Sequence, residues 1–372
     1  MLEARNKTFT ILSCIGICLI ILGHLNYGIL EFGGLFPYYS YHVLIFVFIS
    51  GYFYKPEDEN NILAFIKRKA KRLLLPYMIY NLITGIVIVI LHNFGVTYGE
   101  NLSLYNLFIA PFYGGHQFML NAPGWFIPAL FLLEVCNVVG RKGLSLVKIR
   151  NEYLIMVLYA MFGITTVILA QRGSVYEWYK IPGRLLLMAP VLQLGRLYRA
   201  DLEEKDRIPN ILYFGILLIL NLILVYTQYG LGYSVVWVSG FSNNPVIPYV
   251  SAITGIALWL RIAKILSGIP GDSKVINYLG KHTFEVCIFH LFAWMLINGI
   301  FAIGFGMQGI NPDSVMGQFK SDVYYTYLPK GIDMFKWVYF LAGIFFPLGL
   351  CFIGDKVKKL LCGLQTDGKT MK

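Results

Sequence analysis

Three histidines, His24, His42 and His290, lie inside long apolar runs. An ionisable side chain at membrane depth costs free energy, so each is a candidate for function. Glu134 and Glu285 are carboxylates in the same setting. A neutral imidazole takes and returns a proton near neutral pH, so the chemistry on offer is general acid–base catalysis. For a single membrane histidine the competing use is a hydrogen bond between helices. At ~1.5 Å rise per residue His24 stands roughly 24 Å above the inner start of its helix, and His42 and His290 reach a similar outer-half depth. No carboxylate or cysteine sits at ligand spacing with any of the three, so no metal is expected. His92, His116 and His282 fall at helix ends or in loops and read as ordinary polar residues, His116 being set apart because its loop could fold over the site.

A second cluster is basic: Lys67, Arg68, Lys69, Lys71 and Arg72 follow the acidic Glu57, Asp58 and Glu59 and lead into Leu75-Pro76-Tyr77. Such a run anchors a helix to anionic headgroups. It also suits the phosphates of a nucleotide-bearing cofactor. Residues alone leave both uses open.

These residues need helices to hold them. The 372 residues are 57% hydrophobic and only 14% charged, with mean hydropathy +0.63, far from a soluble domain. Apolar runs of about 20 residues recur, enough to cross a ~30 Å hydrocarbon core. Alternating strand patterns are absent, and helices satisfy every backbone group in lipid. The sequence thus predicts an all-α polytopic protein with about ten transmembrane helices, over 8–30, 36–54, 73–92, 124–140, 153–171, 183–199, 209–228, 246–266, 275–303 and 334–354. With the N-terminus inside, only Arg172, Lys180, Arg184, Lys320, Lys330 and Lys336 of the 31 Lys and Arg face outward. That bias sets the orientation, with both termini cytoplasmic. The net charge of +11 is therefore spent on topology, and nucleic acid is not expected as a partner.

Residues 1–372 read as a single membrane domain, with no hydrophilic insertion large enough to fold alone. The first span is expected to stay uncleaved, being too long for a signal peptide and lacking a small-residue cleavage site. The outer stretches 93–123, 229–245 and 304–333 are rich in Gly, Asn, Tyr, Phe and Pro. They suit either an interfacial aromatic belt or a cap facing substrate. Cys14, Cys18, Cys136, Cys287 and Cys351 fall in apolar spans and Cys362 in the inner tail, so no disulfide framework is expected. Gly304-Phe305-Gly306-Met307-Gln308-Gly309 fits a dinucleotide fingerprint, yet it follows a membrane helix with no βαβ unit around it, and reads as a helix exit.

Several segments together resemble the acyltransferase-3 family of membrane-bound acyltransferases, which includes bacterial polysaccharide O-acetyltransferases. They are Ile17 to His24, with Leu22-Gly23-His24 at its end; Tyr41-His42 through Ser50-Gly51-Tyr52; the basic run with Leu75-Pro76-Tyr77; Gly124-Trp125-Phe126; Leu194-Gly195-Arg196; and Tyr278 to His282, leading to His290. The resemblance implies a cell-membrane enzyme moving an acyl group, usually acetyl, from cytoplasmic acetyl-CoA to a hydroxyl of a cell-surface or lipid-linked glycan. It implies His24 as general base, His42 and His290 as its helpers, and Arg68, Lys69, Lys71 and Arg72 at the CoA phosphates. The partners it implies are the glycan, the bilayer and polysaccharide-biosynthesis machinery. Two positions depart: the family commonly has an acidic residue early in the first helix and a cation eleven residues before the histidine, where this chain has Thr10 and Ser13. Arg184 or Arg196 could replace that cation. The alternatives are a glycan or small-molecule transporter or export component on the same fold, and a non-catalytic subunit of a polysaccharide-synthesis complex.

Overall fold

The computed structural model describes residues 6–307 and 313–367. Arg5, Lys369, Lys372, the side chain of Cys362 and the end of the Gly304–Gly309 motif lie outside the described residues. Along the chain run α1 (Lys7–His24), α2 (Leu44–Tyr52), α3 (Ile62–Lys69) and α4 (Leu75–His92), then the short α5 (Leu104–Phe108) and α6 (Ala110–Tyr113). There follow α7 (Phe126–Leu146), α8 (Glu152–Gln171), α9 (Lys180–Leu197), α10 (Glu203–Lys205), α11 (Asn210–Thr227) and α12 (Ile247–Ser267). The last are α13 (Lys274–Lys281), α14 (Thr283–Met307), α15 (Asp313–Ser321) and α16 (Lys336–Asp367). No strand forms among the described residues, apart from an isolated bridge between Ser234 and Ser239.

Eight of these helical stretches are long and apolar enough to cross a membrane. The protein is an all-α, multi-pass membrane protein. Two of the ten expected spans fall outside the eight. In 36–54 the first half winds as a 3-10 turn over Tyr38–Ser40 and leaves only the nine residues of α2, about 13 Å of helix. The other, α9, carries Lys180, Arg184 and Arg196. Both pack inside the bundle, so neither has to present an apolar surface to lipid. Of the remaining spans, 8–30 ends as helix at His24, and 275–303 divides at His282 between α13 and α14.

α1 is apolar all round, the signature of a helix enclosed on every side. One face, with Phe9, Leu12, Leu19 and Leu22, joins the core built with α2, α7, α9 and α12. The other, with Cys14, Ile17, Ile20 and Ile21, joins the core built with α14 and α16. The helix that carries His24 is therefore the pillar between two cores. Its start is capped by the Asn6 side chain, which accepts from Thr8 N–H.

Buried ion pairs tie the inner ends together. Arg141 of α7 donates to Glu152 of α8 at 2.8 Å and lies 3.3 Å from Glu59. Arg196 of α9 meets the same Glu152 at 3.1 Å. Asp206 receives both Arg261 and Lys264 of α12. At membrane depth such charges persist only when mutually paired.

The tightest helix contact is between α2 and α9. A Cβ placed on Gly51 would sit 1.8 Å from the Leu192 carbonyl oxygen, and one on Gly195 2.0 Å from that of Phe48. Backbone meets backbone there, as small residues permit between membrane helices.

Candidate active site

α1 ends on His24, α14 carries the buried His290 in its first third, and His42 stands in the turn just before α2. The helices bring His24 and His290 into contact: Nδ1 of His24 lies 3.0 Å from Nε2 of His290, with the rings nearly parallel. The proton placement follows from the neighbours. His290 Nδ1 is 3.0 Å from the Val286 carbonyl, an acceptor only, so Nδ1 carries the hydrogen. Nε2 of the neutral ring then has to accept, and His24 Nδ1–H donates to it. Nε2 of His24 is left with its lone pair free to act as a base.

His42 is fixed in the same manner, donating from Nδ1 to the Tyr38 carbonyl at 2.5 Å. His24 and His42 line one cavity of about 430 Å³ at the outer end of the bundle. Its wall includes His116, whose Nδ1 donates to the Gly114 carbonyl at 2.9 Å and whose ring lies 5.0 Å from that of Trp237. Burial pushes the His116 pKa below its ordinary value, and the nearby Arg184 adds to this. Three imidazoles thus each have one nitrogen committed and the other available as an acceptor.

Tyr39, Trp125, Tyr233, Trp237 and Tyr324 line it too, together with Asn26, Ser234 and several apolar residues. No Asp, Glu, Lys or Arg is among the lining residues. An uncharged, aromatic, hydroxyl-lined cavity suits a neutral polyhydroxylated molecule better than an ion. Two outer segments close over it, and Arg184 of α9 holds both. Its Nε donates to the Val236 carbonyl at 2.7 Å, and its terminal nitrogens reach the carbonyls of Phe112 and Tyr113. The guanidinium also lies 5.6 Å from the Trp125 ring centre.

The acyltransferase domain family matches residues 8–355. The chain belongs to the acyltransferase-3 family. No curated protein and no solved structure matches it. It is a multi-pass membrane acyltransferase, and the family match takes in the whole histidine site and the basic run.

In this acyltransferase-3 protein the positions that depart from the family pattern are occupied by local bonds. The Ser13 hydroxyl donates to the Phe9 carbonyl at 2.8 Å within α1, and that of Thr10 to the carbonyl of the capping Asn6 at 3.2 Å. Arg184 is engaged by the outer segments, and Arg196 by Glu152. The basic run divides. Arg68 pairs with Asp58 at 2.7 Å. Lys69 turns inward and meets Glu134 at 2.6 Å, which also accepts from Ser50. Among the described residues no ion pair engages Lys71 or Arg72, and both are exposed. Glu285 lies beside His282 rather than beside the histidine pair.

Trp237 is a site residue that sequence reasoning did not single out, and His116 was set apart only because its loop could fold over the site. The one signal available was that their segments are aromatic, glycine-rich and almost free of charge. Nothing local marks which ring faces inward, because Arg184 makes that choice from another helix.

Proposed function

We propose that this membrane acyltransferase moves an acyl group, acetyl in the first instance, from cytoplasmic acyl-CoA to a hydroxyl of a cell-surface or lipid-linked glycan. The observation that carries this reading is the His24–His290 pair beside an uncharged aromatic cavity. A sugar ring stacks on aromatic faces and offers hydroxyl donors to imidazole acceptors. His24 Nε2 takes the proton of the acceptor hydroxyl as its oxygen attacks the thioester carbonyl. The imidazolium so formed shares its Nδ1–H with His290 Nε2, which spreads the new charge. Collapse of the tetrahedral intermediate breaks the C–S bond, and the CoA thiolate recovers the proton from His24.

The CoA nucleotide stays at the inner surface, since its phosphates are too costly to bury in hydrocarbon, and the pantetheine arm threads upward between helices. Lys71 and Arg72 are, with Lys67, the cations of the run available to those phosphates, and they stand nearest the span that follows. Replacing both with glutamine is expected to weaken acetyl-CoA binding several-fold and to flatten its dependence on salt, because exposed charge pairs are screened. Affinity unchanged by the double substitution would leave the run with headgroup anchoring alone. Polysaccharide-synthesis enzymes in the cell membrane are the natural suppliers of the acceptor.

The closure of Ser13 onto its own helix favours a second reading, in which the fold serves glycan or small-molecule export without catalysis. Acetyl-CoA binding to detergent-purified protein, with free CoA and ATP as controls, separates the two. Saturable binding is expected. Absence of binding in well-folded protein would overturn the enzyme reading and leave the export one.

A further inference from the structure

At the inner end of α14 a group of side chains is arranged as no ordinary polar cluster requires. His282, at the junction of α13 and α14, is 7% exposed, yet neither ring nitrogen has a hydrogen-bond partner. The buried Oε2 of Glu285 is equally unpartnered. Cys351 of α16 faces them: one donor atom each from His282, Glu285 and Cys351 lie within 4.8 Å of one another. His282 Nδ1 is 3.4 Å from Glu285 Oε2, and Nε2 is 3.8 Å from Asp355 Oδ2.

A buried imidazole with neither nitrogen hydrogen-bonded is costly. A cation between Nδ1, the carboxylate and the sulfur would take up two of the three unpartnered atoms, His282 Nδ1 and Glu285 Oε2. We propose that His282, Glu285 and Cys351 form a binding site for a zinc-class divalent cation. Thiolate, imidazole and carboxylate together are a donor set that suits zinc rather than magnesium or calcium. Tetrahedral zinc holds neighbouring donors about 3.3–3.8 Å apart, so modest side-chain rotation closes the site. Asp355 faces the opposite ring nitrogen at 3.8 Å and would take its N–H once metal binding turns the ring, the carboxylate–histidine arrangement that orients a metal-bound ring. Tyr278, 3.3 Å from the Asp355 carboxylate, and Lys281, 3.7 Å from it, hold that carboxylate in turn. Glu285 and Asp355 are partly exposed, giving the ion a path from water.

Binding exchanges the Cys351 thiol proton for the metal, the proton passing to solvent, and leaves one position for water. The cation then clasps the start of α14 to α16. His290 lies eight residues further along α14, about 12 Å away, so the clasp steadies the helix that positions it. The site is independent of the acyl-transfer reading and is tested without it.

The test uses the tag-free full chain in detergent, stripped with chelator and titrated with Zn²⁺ alone. One zinc per chain is expected. Cys351→Ser and Glu285→Gln should each weaken binding at least tenfold, and Asp355→Asn roughly tenfold, as outer partners of metal-bound histidines do. Co²⁺ on the wild-type chain should show a thiolate-to-metal charge-transfer band, a readout that does not depend on any variant folding. Stoichiometry far below one, cobalt without that band, or zinc retained undiminished in both ligand variants would each overturn the site.

Discussion

His24→Ala is expected to lower acyl transfer by roughly 10²–10⁴-fold, the usual contribution of a positioned general base. The protein should still fold and still bind acetyl-CoA. His24 is the last residue of α1 and is only partly buried at the cavity floor, so its loss opens space already facing the cavity rather than a hole in the core. The loss should fall on kcat. His290→Phe keeps the volume but removes the acceptor of the His24 Nδ1–H, and its deficit is expected to be smaller, roughly tenfold, since His24 retains its own lone pair. Acetyl transfer from labelled acetyl-CoA to a glycan acceptor, measured beside thermal unfolding, checks both. Undiminished transfer in His24→Ala would remove the imidazole from the reaction.

The second large effect concerns stability. Gly51→Ala and Gly195→Ala each place a methyl group about 2 Å from a backbone carbonyl oxygen of the facing helix. Ordinary contact is near 3.4 Å or more, and a backbone carbonyl cannot rotate away as a side chain can. α2 and α9 would have to separate by more than 1 Å. Overpacking of that kind costs about 1–3 kcal/mol where side chains give way, and more where backbone meets backbone. Either variant is expected to sharply reduce the yield of monodisperse protein and its unfolding temperature in detergent. Gly215→Ala on α11 is the control: a Cβ there meets nothing within 4 Å, and alanine is the better helix former by about 1 kcal/mol. Equal behaviour of all three variants would show that the α2–α9 approach is not tight. The same geometry accounts for two of the glycines in the segments that carry the family resemblance, since Gly51 and Gly195 belong to one contact made from both sides.

The all-α form of the chain and eight of its ten expected spans were readable from the residues alone. Each depends on a local rule: a bilayer tests the composition and length of one segment at a time. The common depth of His24, His42 and His290 was readable for a related reason, since rise per residue is constant along a helix. The same rules stopped short at α2 and α9. Both read as spans because an apolar run does not reveal whether lipid or another helix covers it.

Arrangement in the membrane plane was decided by tertiary structure. The contact of His24 with His290 requires α1 and α14 to touch, and 266 positions separate the two residues. Lys69 reads as one cation in a run until Glu134, on a different helix, draws it inward. His116 is indistinguishable from a loop residue until Arg184 pulls the carbonyls of Phe112, Tyr113 and Val236 to one point. His282 with Glu285, and Cys351 with Asp355, are unremarkable pairs until α14 and α16 lay them face to face. The physical reason is common to all four. The bilayer acts on each segment through its own residues, whereas the choice of neighbour rests on packing and polar pairing between helices far apart in the chain.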